Sequence, residues 1–192
     1  ADSFCRLPMP DREKMDDRSK AAYDRLADPN TQSRVGLQGP GTIQLHSNKV
    51  SEHSSGLNRY LRTEAGFDED VLELAILVAA REMDSKFEWA AHEPAAIDAG
   101  VPAETIDVVR FKKPTDGLSE TETLIIEFGR QLFRERRIDA DRYAAARALF
   151  GDKRLVDFVI LITQYSATAL VLRAFDMQPK AGLDYNLPVE EV

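Results

Sequence analysis

Three side chains in the middle of the chain have the types and spacing that acid/base chemistry needs: Ser85, Glu88 and His92. They stand at i, i+3 and i+7. At about 100° per residue, a helix brings them within roughly 60° of one another on one face. Glu88 and His92, at i and i+4, are close enough to touch. A carboxylate beside an imidazole raises the imidazole pKa and selects its tautomer. That is the minimum for general acid/base catalysis near neutral pH. A Glu–His pair on a solvated helix would carry little weight, but Phe87, Trp89, Ala90, Ala91, Pro94, Ala95 and Ala96 around it are apolar or small. Upstream, Glu73 is set inside an apolar run from Val71 to Ala80. A carboxylate buried there needs a partner.

His92, Glu88 and Glu73 are therefore the candidate catalytic residues. Trp89 and Phe87 are candidates to wall a pocket and exclude water. Ser85 is a weaker candidate, because its base would be His92, two helical turns away. His46 and Tyr165 lie near apolar helix ends and are candidate donors to a substrate carboxylate or carbonyl. Glu73, Glu88 and His92 could also be read as metal ligands. However, the Glu88-x3-His92 spacing differs from the Glu-x-x-His of di-iron bundles, and neither metal nor cofactor is expected.

These residues need helices to position them, and the chain reads as all-α, with no strand pattern. Residues 1–35 form an N-terminal arm and a surface helix over Asp11–Ala27 with one weak apolar stripe. Residues 28–45, with Pro29, Gly36, Gly39, Pro40 and Gly41, read as a long irregular segment. A helix is predicted over 48–64, burying Leu57, Tyr60 and Leu61 and stopped by Gly66. Asp68, Glu69 and Asp70 open the helix that carries Glu73 and runs to about Met83. Its partner spans 86–99 and stops at Gly100. A short helix follows between Pro102 and Phe111. Ser119 and Glu122 form a capping box for the next. A helix then runs from Asp139 to Gly151, and Asp152 caps a last one over about 155–175 that is apolar nearly all round. Residues 36–178 thus make a helical domain, and 179–192 an extended tail that could wrap a neighbour. His53, in a polar stretch, reads as solvated.

The composition narrows the function further. The 192 residues are 43% hydrophobic and 30% charged, as in ordinary globular proteins. A formal charge of −8 with no basic stripe argues against a nucleic-acid partner. The apolar runs are interrupted before they reach a membrane span, so no membrane partner is expected. The single cysteine, Cys5, excludes an internal disulfide and a CxxC pair. A cytoplasmic location is the default expectation.

Glu73-Leu-Ala-Ile-Leu-Val-Ala-Ala, Glu88-Trp-Ala-Ala-His92-Glu-Pro-Ala-Ala and Ala99-Gly100-Val101 together resemble the carboxymuconolactone decarboxylase superfamily, which includes the AhpD-like alkylhydroperoxidases. Gly39-Pro40, Leu45-His46-Ser47 and Tyr60-Leu61-Arg62 are similar to its longer members. The resemblance implies a helical bundle built around an antiparallel helix hairpin, assembled as a trimer or hexamer with the active site near a subunit interface. The peroxidase branch carries Glu-x11-Cys-x2-Cys-x3-His, which here reads Glu73, Ser85, Glu88 and His92. With both cysteines absent, thiol-based peroxide reduction is chemically unavailable. The decarboxylase branch carries a Glu four residues before its His, matching Glu88 and His92, but usually lacks an acid at Glu73.

What carries over is a class of chemistry. The expected activity is cofactor-independent acid/base catalysis (decarboxylation, isomerisation or ring opening). Its expected substrate is a small, aromatic-derived carboxylic acid or lactone. The alternative is a non-catalytic oligomeric scaffold in which the three residues form a satisfied buried cluster.

Overall fold

The computed structural model describes residues 2–30 and 34–189, and within them every regular element is helical. A 3-10 turn at Arg12–Lys14 precedes α1 (Asp17–Ala27), α2 (Pro40–Gln44) and α3 (Asn48–Arg59). The last of these continues into a π-helical turn at Tyr60–Glu64. Then come α4 (Glu69–Glu82), α5 (Lys86–Asp98), α6 (Ala103–Arg110), α7 (Glu120–Glu135) and α8 (Ala140–Ala174).

Helix α4 is the centre of the bundle, packed against α5, α6, α7 and α8. Its sequence explains this, because Leu74 to Ala80 is apolar without interruption and entirely buried, as a helix surrounded by others must be. Helices α4 and α5 are joined through Met83, Asp84 and Ser85 and fold back on one another. Small residues permit close approach elsewhere: a Cβ on Gly129 of α7 would lie 2.4 Å from Val78 Cγ1 of α4. Trp89, Ile125, Phe158, Leu161 and Ile162 complete the main core.

The helix ends follow local chemistry. The Ser119–Glu122 capping box is formed in full. Gly66 and Gly100 take the left-handed conformation after α3's π turn and after α5, with φ of 81° and 89°, where glycine avoids a Cβ clash. Gly151 breaks α8 with φ 69° and ψ 169°, so the two predicted helices meet there end to end. Asp152 does not cap the second, since its carboxylate is held by Arg147.

Three further expectations are corrected. Leu57 is exposed rather than buried, because α3 turns its polar stripe inward. By length and composition α8 is apolar enough to cross a membrane, despite its interrupted runs. Here Leu155, Phe158, Leu161, Ile162 and Tyr165 of α8 are buried in the bundle. The tail folds back onto its own chain, with Leu187 in the main core. The arm joins it: Arg6 N donates to Phe175 O and Gln178 N to Phe4 O. Cys5 and Leu7 pack in a second small cluster with Ile43, Phe87 and Leu172.

Candidate functional site

His92 lies near the middle of α5 and Glu73 in the first half of α4. The hairpin brings them together, with Nδ1 of His92 2.7 Å from Glu73 Oε2. Both side chains are buried. An ionised carboxylate can only accept, so Nδ1 carries the proton and donates it, leaving the Nε2 lone pair free. Nε2 faces Glu88, whose Oε2 is 3.8 Å away. The i, i+4 pair is therefore adjacent but not hydrogen-bonded, and the tautomer is set by the partner across the hairpin.

Two arginines complete the cluster. Arg34 donates to Glu73 Oε1 at 2.8 Å, and Arg62 Nη2 lies 3.8 Å from the same oxygen. Arg62 is carried by the π turn, an element often found at functional sites. Leu61 anchors that turn in the core. Tyr60 ties it to α8 by donating to Asp157 at 3.0 Å. Arg62 Nε is buried and has no hydrogen-bond partner among the described residues, a costly arrangement for a charged donor.

The electrostatics differ residue by residue. Burial pushes the Glu73 carboxyl up, but its hydrogen bond with His92 and the charges of His92, Arg34 and Arg62 outweigh this and hold it below the usual carboxylate range. Burial drives the Glu88 carboxyl up to about 7, opposed only by Arg62. His92 is pushed below 6.5, since burial and the nearby arginines outweigh its bond to Glu73. The rise expected from a neighbouring carboxylate is thus overturned by desolvation. Near neutral pH the site holds an ionised Glu73, a neutral His92 and a Glu88 at its midpoint.

Glu73, Glu88 and His92 line a cleft of about 1010 Å³ bounded by α1, α2, α3, the first half of α4, α5 and α8, at the upper end of the range for small-molecule sites. Tyr165 lines it too, edge-on to His92 with centroids 5.1 Å apart, and burial raises its phenol pKa. Phe87 forms part of the wall. The structure does not bring the remaining candidates there. Trp89 points into the core on the other side of α5, where its indole donates to Glu93 and Asn186. Ser85 is the N-cap of α5, with extended backbone angles, and accepts from Glu88 N at 3.4 Å. The helical-face argument fails for Ser85 because it precedes the helix. His46 is exposed, with Nε2 3.0 Å from Pro8 O.

Arg34 and Arg62 escaped the sequence reading. The only signal was that Arg62 is the last residue of the Tyr60-Leu61-Arg62 stretch that carries part of the family resemblance. Among the described residues, no group of three or more His, Cys, Asp and Glu side chains is arranged to hold a metal ion. Comparison with protein-family models, curated proteins and solved structures gave no match.

Proposed function

We propose that this protein is a cofactor-independent acid/base enzyme that moves a proton on a small carboxylated metabolite, in the manner of a decarboxylase, isomerase or ring-opening lyase. The observation that carries this reading is the Glu73–His92–Glu88 array opening on a ligand-sized cleft. Glu73 holds His92 in the tautomer whose Nε2 is basic. Nε2 removes a proton from the substrate. Glu88, neutral up to about pH 7, gives its carboxyl proton to the carbanion or enolate so formed. The imidazolium then returns a proton to the Glu88 carboxylate, and both groups are reset. In a decarboxylation, loss of CO₂ generates the carbanion and only the Glu88 step is needed. Each such acid or base contributes on the order of 10²–10⁴-fold.

Charge balance supports a carboxylate substrate. Arg34 and the half-buried Arg62 face one ionised carboxylate, leaving a positive charge at the edge of the site while Glu88 is neutral. The orphan Nε of Arg62 is the natural partner for an entering anion. The resemblance to the carboxymuconolactone decarboxylase superfamily, carried by Glu73, Glu88 and His92, supports the same chemistry. It also supports a homo-oligomer. Val156, Ile160 and Leu170 expose an apolar stripe along α8, the kind of surface that a trimer or hexamer would cover. Light scattering of the purified protein tests the assembly.

The alternative of a non-catalytic scaffold draws on the satisfied bonds of Glu73 to His92 and Arg34. It does not account for Glu88, a buried carboxyl that faces a cleft and whose oxygens have no hydrogen bond among the described residues. The test is hydrogen–deuterium exchange in D₂O, followed by proton NMR, over a panel of carboxylic acids and lactones with acidic C–H bonds. Exchange that disappears in His92→Gln, or CO₂ release that disappears in Glu88→Gln, supports the enzyme. A panel in which no member binds or exchanges moves the reading to the scaffold.

A further inference from the structure

Two walls of the cleft are polar, and they face an apolar side formed by Leu26, Val35, Phe87, Ala91 and Ala95. On α3, Ser51, Ser54, Ser55 and Asn58 recur at i, i+3, i+4 and i+7, so they share one face, and the π turn that follows places Arg62 at its end. Opposite, α8 presents Gln164 and Thr168 on either side of Tyr165. The walls approach closely enough for Gln164 Nε2 to reach Ser54 Oγ at 3.5 Å. Thr168 Oγ1 is turned back to Gln164 O at 2.9 Å. Ser51, Ser55 and Asn58 make no side-chain hydrogen bond among the described residues, although all three line the cleft. Aromatic surface is sparse: Phe87 and Tyr165 are the aromatic residues among those lining it, and Tyr165 is already edge-on to His92.

The α3–α8 side of the cleft does not suit a flat aromatic acid. A ring laid there would strip water from hydroxyls and amides and return no hydrogen bonds. A chain of hydroxyl groups would satisfy them. Sites built to bond a substrate hydroxyl discriminate strongly against analogues that lack it.

We propose that the acid this cleft receives is a polyhydroxylated one, its carboxylate on Arg62 and its hydroxyl-bearing chain along the α3 stripe, beside Gln164 of α8. The inference rests on the acid/base reading of the same cleft and replaces an aromatic-derived substrate with a sugar-acid-like one. It places the C–H bond next to the carboxylate within reach of His92 and Glu88.

The test is isothermal titration of the full chain at pH 6.5 and low salt with three probes: D-gluconate, hexanoate and benzoate. Gluconate is expected to bind at least tenfold more tightly than the other two. In Asn58→Leu and in Gln164→Leu that advantage should fall at least threefold, while hexanoate binding stays the same. Ser55→Ala, at an exposed position, serves as the mildest variant. Hexanoate or benzoate binding as tightly as gluconate overturns the proposal yet leaves the carboxylate reading intact. If none of the three binds, and Arg62→Gln makes no difference, the carboxylate reading itself fails and the proposal with it.

Discussion

Helix α5 buries two glutamates five residues apart, and they are treated in opposite ways. Glu93 is fully engaged. Trp89 Nε1 and Asn186 Nδ2 donate to its Oε2 at 3.1 and 3.0 Å, Arg110 pairs with Oε1, and the Arg110 guanidinium lies over the Trp89 ring. Among the described residues Glu88 has no such company, only His92 Nε2 at 3.8 Å and a distant arginine. One face of the helix is a closed polar clasp, with the tail as its lid. The other is an open site with a carboxyl left near its midpoint. A buried carboxylate that serves structure is neutralised and hydrogen-bonded. One left short of partners costs stability and is retained where its proton is useful.

The largest effect that separates the two faces is on turnover. His92→Gln should lower the rate by about 10²–10⁴-fold and leave the unfolding midpoint within a few degrees, read by steady-state assay and thermal melt. The rate profile should be bell-shaped. It falls on the acid side as His92 gains a proton and above about pH 7 as Glu88 loses one; Glu88→Gln should remove the basic limb. A profile without that limb in the wild type would take Glu88 out of the chemistry.

Glu93→Gln should do the reverse. It strands Arg110 in a largely buried site and should cost about 3 kcal/mol in urea unfolding, with kcat nearly unchanged in the protein that remains folded. An equal loss of kcat would mean that the clasp and the site are one unit.

Glu88→Gln should stabilise the fold at alkaline pH. The folded pKa of Glu88 is raised to about 7, from 4.5. Between these values the unfolded chain releases a proton that the folded one keeps, so this group's linkage lowers stability as pH rises from about 4.5 to 7 and is flat on either side. The variant should gain about 2–3 kcal/mol at pH 8 relative to pH 4. His92 contributes the opposite slope: its lowered pKa favours the folded state above 6.5 and the benefit is lost as pH falls. The comparison of Glu88→Gln with wild type isolates the glutamate. The smallest change is expected from Asn186→Ala, about 1–2 kcal/mol for three lost hydrogen bonds, one of them exposed, with no shift in the pH profile.

How far these features were legible in the sequence depends on how local they are. The all-α character, the Ser119–Glu122 capping box, and the stops at Gly66, Gly100 and Gly151 follow from neighbours within a turn or two. The adjacency of Glu88 and His92 is of the same kind, because a 3.6-residue period makes it a property of α5 alone. What lay beyond that range was decided by packing. Glu73 meets His92 across 19 residues of chain and Arg34 across 39. On the sequence the two arginines look like any solvated charge, and only the tertiary fold turns them inward. Trp89 stands beside Glu88 in sequence, yet points the other way because consecutive helical residues diverge by about 100°. The choice between core and cleft for each of them depends on what α4, α8 and the tail put opposite. The sequence by itself determined where most of the helices begin and end, though not α2 within the segment that reads as irregular, and which chemical groups they carry. The tertiary structure decided which carboxylate is neutralised and which is left protonatable, since desolvation and the charges that offset it are properties of the assembled bundle.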